Sequence, residues 1–275
     1  MSVTALVDGV ESSTIPVSDS AVLRGDGCFE SIRSYDGRLF ELGAHLDRME
    51  VSARALGLVM PERARLEEWC RTVAATGDGV VRVLLTRGDA VGAAVPAERC
   101  IVLHVPVSRR ATSVTLLPVE APWHSAGRDW ALAGTKTLSY APNLASSRMA
   151  AIAGFDDALL IADDGTLLEG PTFSVAWVAG GVLETPALGL HILDSITRRI
   201  VLSLTHDLGI PVDEGRFHLD QLDHADEVVA LSTVKEVMPV TAVGDRIYEP
   251  GPLARALQSA FERRIDAGLD LAGLG

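Results

Sequence analysis

The chain has 275 residues, 48% apolar, 22% charged and 5% aromatic, with a net charge of −13. That length buries a sizeable core as one large domain or two small ones, and the composition excludes a disordered or collagen-like chain. The acidic balance argues against nucleic acid as the main partner, because phosphate binding calls for a basic face. No apolar run reaches the roughly 18 residues of a membrane span. Met1 to Gly9 has no basic segment and carries Asp8, so no secretory leader is expected. Cys28, Cys70 and Cys100 are odd in number and lack CxxC spacing. They predict neither a disulfide framework nor a zinc site, and the expected setting is a reducing cytoplasm.

The first part reads as strands and helices. CFESIRSY (28–35) alternates apolar and polar residues, Asp36-Gly37 is a two-residue turn, and 38–42 returns antiparallel. Leu46, Met49, Ala53 and Leu56 have helical spacing within 44–56, and Gly57 ends that helix. Pro61 opens a second helix through about Ala75. Residues 80–85, 101–107 and 113–119 are apolar enough for strands. EAPWHSAGRD (120–129) is polar and aperiodic, with Pro122 and Gly127. It divides the chain into a domain at 1–119, a linker at 120–130 and a domain at 131–275. Beyond it come a helix at 141–153, a hairpin at 157–169 around Asp163-Asp164-Gly165, and a second hairpin at 173–185 around Gly180-Gly181. Ser195 caps a helix from 196 to 208, strands follow at 227–231 and 237–243, and a helix closes at 253–267. Strands and helices mix without strict alternation, so the fold class is mixed α/β rather than a doubly wound sheet.

Dinucleotide, P-loop, metalloprotease and serine-hydrolase motifs are absent, and seven histidines lie scattered without metal-ligand spacing, so no metal is expected. One count stands out. Of the 24 basic residues only Lys136 and Lys235 are lysines, leaving 22 arginines. Arginine stays protonated, whereas lysine can become a neutral amine nucleophile. A lysine retained against that bias is a candidate for amine chemistry, although two ordinary surface lysines would fit the count as well. Lys136 lies in GTKTLSYAPNLA, Glu169 in LLEGPTFSV 33 residues later, and Arg48 in AHLDRM. Thr197 starts a helix and Thr233 follows a strand. A lysine imine to pyridoxal phosphate needs an amine, an acid at the ring nitrogen and a phosphate site of arginine, helix N-terminus and hydroxyls. The chain offers one of each, while each residue also has a commoner role as turn, cap or solvated cation.

RGDGCFESIRSYDGRLF with AHLDRMEVSA, then KTLSYAPNLA, LLEGPTFSV, ILDSITRRIV and ALSTVKEVMPV, run in order over nearly the whole chain. Together they resemble the class IV aminotransferases: branched-chain, D-amino-acid and R-selective amine transaminases, with aminodeoxychorismate lyases. The resemblance implies a two-domain fold, with a smaller N-terminal α/β domain, a larger C-terminal domain and pyridoxal 5'-phosphate between them, in a homodimer. It implies Lys136 as the Schiff-base lysine and Glu169 at the pyridinium nitrogen. Arg48, Ile196, Thr197 and Thr233 match phosphate-binding positions, and Tyr140 matches a tyrosine near the ring. Lys235 stands where the family usually has a small residue.

Phe29, Ser31 and Arg33 share one face of their strand, which the family turns to substrate. Arg82 matches the pocket arginine of the branched-chain type, but Val80 replaces that type's tyrosine and Ser31 its glycine. The Arg-x-His trap of the D-amino-acid type is missing from TRGDAVGAAVP. Both usual carboxylate sites are thus incomplete. The expected activity is transamination between a D-amino acid, branched-chain amino acid or R-amine and a 2-oxo acid. The alternative is 4-amino-4-deoxychorismate lysis to pyruvate and 4-aminobenzoate. A third, from another class, is a protein that binds the cofactor without turnover.

Overall fold

The alternation in CFESIRSY builds the centre of the first sheet. The computed structural model describes residues 4–89, 98–107 and 111–272, which form two compact units. Unit 1 takes in the chain up to Arg109 together with Thr135–Tyr140 and the last ten residues; unit 2 is Arg110–Gly134 with Ala141–Ile265.

In unit 1, β1 (Ala5–Val7), β2 (Val10–Glu11), α1 (Ser20–Arg24), β3 (Gly27–Tyr35) and β4 (Arg38–Leu39) come first. They are followed by α2 (Leu42–Ala55), α3 (Arg63–Ala74), β5 (Gly79–Thr86) and β6 (Arg99–Pro106). The strands pair as one antiparallel sheet in the order β2-β1-β6-β5-β3-β4. Period-2 alternation gives that sheet two distinct faces. Cys28, Ile32, Val81, Val83, Leu85, Cys100 and Val102 pack with Leu46, Met49 and Ala53 of α2 and Leu66, Cys70 and Val73 of α3. Both helices bury one face, as the apolar spacing requires. The opposite sheet face carries Phe29, Ser31 and Arg33 of β3 beside Leu84, Arg82 and Val80 of β5.

Unit 2 contains β7 (Val114–Glu120), α4 (Ala141–Ile152), β8 (Asp157–Ile161), β9 (Ser174–Ala179), β10 (Val182–Pro186) and α5 (Ile196–Asp207). Then come β11 (Val212–Gly215), β12 (Glu227–Ser232), β13 (Glu236–Val243), β14 (Arg246–Ile247) and α6 (Pro252–Ala272), whose last turns count with unit 1. Its mixed sheet runs β11-β10-β9-β12-β13-β7-β8, with β14 added on β13. Trp177, fully buried, anchors the core, crossing Phe217 edge-on at 5.1 Å and donating its indole N–H to Glu184 at 2.6 Å.

The elements differ from the sequence reading in one consequential place. The strand expected at 113–119 was assigned to the first domain. It is β7, and it pairs in parallel with β13 and β8 of the second sheet. Its register is set by residues more than 100 positions away in β13, which local pattern cannot report. The division between units therefore falls ahead of it, and the segment with Lys136 groups with unit 1. The stretch 120–130 belongs to unit 2 as a run of turns.

Candidate active site

Lys136 is held from both sides of its backbone. Its N–H donates to the Ser52 hydroxyl on α2 at 3.2 Å, and its carbonyl accepts the Phe29 N–H at 3.0 Å. Thr137 bridges Cys28, and the Leu138 N–H donates to the Gly27 carbonyl at 2.8 Å. Gly27 is required for this approach: a Cβ there would meet the Leu138 side chain at 2.7 Å and the Leu85 carbonyl at 2.4 Å. The Lys136 Nζ lies 4.4 Å from the centre of the Phe29 ring and 6.0 Å from that of Tyr140. Those two rings meet edge-on at 5.4 Å.

Three of the expected substrate residues, Ser31, Arg33 and Arg82, join this group. Ser31 is the direct cross-strand partner of Arg82, and Arg33 sits one diagonal step away, opposite Val80. The Arg82 guanidinium stacks over the Phe29 ring at 5.0 Å. Arg33 donates to the Gly79 carbonyl at 2.7 Å and lies 4.7 Å over Tyr35. Among the described residues, the Nε of each arginine is buried without a hydrogen-bond partner. A buried guanidinium donor left unmatched costs free energy, a cost that an anionic group would offset. The segment read as lacking the Arg-x-His trap falls largely at 90–97, outside the described residues.

Arg48 sits on the helix side of β3. Its Nε and Nη2 donate to the two oxygens of Glu30 at 2.7 Å each, and His45 Nδ1 meets the same carboxylate at 2.8 Å. Sequence reasoning missed Glu30 and His45. Their signal was available only as the spacing of His45, Arg48 and Ser52 on one helical face.

In unit 2 the Glu169 carboxylate accepts the Leu193 N–H at 3.2 and 3.1 Å, one oxygen each. His124 Nε2 stands 3.8 Å from it. The Ala126 N–H donates to His124 Nδ1 at 3.0 Å, which assigns the ring proton to Nε2, facing Glu169. His124 was read only as linker. Ile196 and Thr197 occupy the first turn of α5, both buried, and Ser195 caps it by accepting the Arg198 N–H at 3.3 Å. Such a turn leaves backbone N–H groups without intrahelical acceptors. Thr233 lies in the turn from β12 to β13. In that turn Lys235 donates to Asp157 at 3.3 Å and rests 4.8 Å over Phe173. A separate cavity of about 490 Å³ runs between β13 and α6 past Lys235, Arg255 and Phe261, and none of the expected cofactor residues lines it.

The family profile "Amino-transferase class IV" matches residues 27–243. The chain belongs to the class IV aminotransferases. It is 31% identical over 274 residues to a putative branched-chain-amino-acid aminotransferase of Methanocaldococcus jannaschii, covering 92% of this chain and 91% of that one. It is 30% identical to a bifunctional aminodeoxychorismate lyase / D-amino acid transaminase of Mycobacterium tuberculosis, covering 91% and 92%. A pyridoxal-phosphate-bound structure of a hypothetical aminotransferase from Mycobacterium tuberculosis superposes with a TM-score of 0.86 at 27% identity, over 97% of this chain and 98% of that chain. This class IV aminotransferase has the fold-type IV architecture expected from its motifs and depends on pyridoxal 5'-phosphate. No helix among the described residues is long and apolar enough to cross a membrane.

Proposed function

We propose that this aminotransferase works on carboxylate-bearing amino acids, D-amino acids or branched-chain ones, with a 2-oxo acid as acceptor. The observation that carries this reading is the pair of buried, unmatched Nε donors of Arg33 and Arg82 on the face that holds Phe29, the ring beneath Lys136. A substrate carboxylate satisfies them, and a plain R-amine does not, so R-amines are the poorer donors. Phe29 and Ser31 complete that wall.

The donor sets fit pyridoxal phosphate group by group. Lys136 supplies an amine seated on aromatic rings, Glu169 a carboxylate held by a backbone N–H, and α5 a helix N-terminus for a phosphate. When bound, the cofactor supplies an electrophilic aldehyde and an electron-withdrawing ring. Lys136 would hold the aldehyde carbon and would afterwards move the proton at the substrate Cα. Glu169 would keep a proton on the ring nitrogen, with His124 orienting the carboxylate. The Ile196 and Thr197 N–H groups, the Thr233 hydroxyl and the Arg48 guanidinium would hold the phosphate, with Tyr140 beside Lys136 near the ring. A cytoplasmic homodimer belongs to the same proposal. Exposed Trp130, Leu144, Met149 and Ile152 are apolar surface that a second copy would cover, and sedimentation measures it.

The test is a half-reaction without acceptor. D-alanine, L-leucine and an R-amine are each added to the cofactor-loaded enzyme, and the absorption band is followed to the pyridoxamine form. Conversion by an amino acid, faster than by the amine, is expected, and the faster isomer gives the handedness. Conversion by the amine alone overturns the carboxylate reading. No conversion by any donor, with pyruvate and 4-aminobenzoate released from aminodeoxychorismate, assigns the lyase reaction carried by the Mycobacterium tuberculosis relative's name.

A further inference from the structure

The face of β3 turned to α2 holds a charged cluster in which Arg48 is joined by two residues, Glu30 and His45, that the reaction as described does not use. Glu30 is fully buried, with Arg48 and His45 nearly so. Its carboxylate accepts from Arg48 Nε at 2.7 Å, Arg48 Nη2 at 2.7 Å, His45 Nδ1 at 2.8 Å and the Ser31 N–H at 3.3 Å. We infer that Glu30 is a positioning residue which sets the plane of the Arg48 guanidinium for the cofactor's phosphate. This rests on the reading of Arg48 as a phosphate ligand.

Three features carry it. Arginine recognises phosphate through a planar fork, so its value depends on a fixed plane, and a long side chain on a helix does not fix one. Two parallel bonds to Glu30 do, because they engage one whole edge of the guanidinium. The carboxylate is in turn fixed from a second helical position, by His45 one turn before Arg48. Charge completes the arrangement. Burial pushes the Glu30 carboxyl upward, but the Arg48 charge and the hydrogen bonds from His45 and Arg48 outweigh it and bring it down to about 2. Burial, helped by the Arg48 and Lys136 charges, pushes His45 down against its bond to Glu30. Above mild acid the cluster therefore holds one anion, one cation and a neutral imidazole whose Nδ1–H donates to Glu30. A device that only glued α2 to β3 would not need a fork, and apolar side chains serve that purpose at Leu46 and Met49.

The experiment separates phosphate recognition from general integrity. The cofactor is removed, and dissociation constants for pyridoxal 5'-phosphate and for pyridoxal, which lacks the phosphate, are measured by absorbance titration. Glu30→Gln is expected to cut the preference for the phosphorylated form by about tenfold, the loss of roughly one charge-assisted hydrogen bond, leaving pyridoxal affinity within about twofold. Glu30→Asp, which keeps the charge one methylene short, is expected to lose about threefold, and this holds if the Gln variant does not fold. In an Arg48→Met background, Glu30→Gln is expected to add nothing. Equal weakening of both ligands by the Glu30 variants makes the residue structural and overturns the inference. A preference that collapses in Arg48→Met but survives both Glu30 variants overturns it while sparing the phosphate reading. A preference that survives Arg48→Met removes that reading and the inference with it.

Discussion

Lys136 and Lys235, the two lysines of the chain, each rest the Nζ on a phenylalanine ring, at 4.4 Å over Phe29 and 4.8 Å over Phe173. The surroundings then part. Lys235 spends its Nζ on Asp157, whose other oxygen accepts from Ser147 at 2.8 Å and the Ala158 N–H at 3.0 Å. It ties a turn to the start of β8. Lys136 has a second ring, Tyr140, and a backbone pinned to both β3 and α2. A cation–π seat is therefore common to an amine in an ion pair and to the amine proposed to react. Lys235 answers a carboxylate, and the Phe29 ring beside Lys136 belongs to a sheet face that also carries Arg33 and Arg82.

The largest effect expected from that contrast is loss of turnover in Lys136→Ala, by about 10³-fold or more in the half-reaction, with Lys235 unable to substitute. Recovery of rate through the remaining lysine would erase the distinction. Arg82→Met sharpens it. Losing hydrogen bonds to a charged group of about 1.5–3 kcal/mol lowers kcat/KM for amino acids by about 10- to 100-fold, while an amine without a carboxylate keeps its rate. A smaller effect concerns acid. Both Glu30 and His45 have folded values below their ordinary 4.5 and 6.5. A lowered value means the unfolded chain binds protons first, so stability falls as pH drops below 6.5 and falls further below 4.5. Urea midpoints between pH 8 and 4 should decline in that pattern, and Glu30→Gln should lose the lower phase. Smallest is Lys235→Met. Its half-buried ion pair contributes about 0–1 kcal/mol, so the urea midpoint should shift slightly and turnover should stay within about twofold.

Much of what the structure brings together around Lys136 was legible because its determinants are local. Lys136 stood out as a candidate through a composition bias, with its role implied by the family resemblance, and the shared face of Phe29, Ser31 and Arg33 followed from strict alternation along one strand. The helices at 42–55, 63–74 and 196–207 announced themselves by apolar spacing and caps. What escaped is non-local. The Glu30–Arg48 pair joins a strand to a helix 18 positions on, and no period connects them. His124 sits in an aperiodic loop and gains meaning only when Glu169 and Leu193 arrive beside it. β7 joined the second sheet through partners far along the chain, and β11 and β14 are too short or too polar to show a pattern.

The three thiols have a use of their own. Cys28, Cys70 and Cys100 all belong to unit 1 and all lie in its core, and burial pushes the first two up to about 12 and the third higher still. Neither a thiol-modifying reagent nor an oxidant finds a thiolate there while the core is closed. Alkylation of the native protein thus proceeds only as fast as that core opens, and unit 2 contributes no sulfhydryl to the signal. The protein carries a built-in clock for the breathing of one half alone, read by mass as each molecule gains its three adducts.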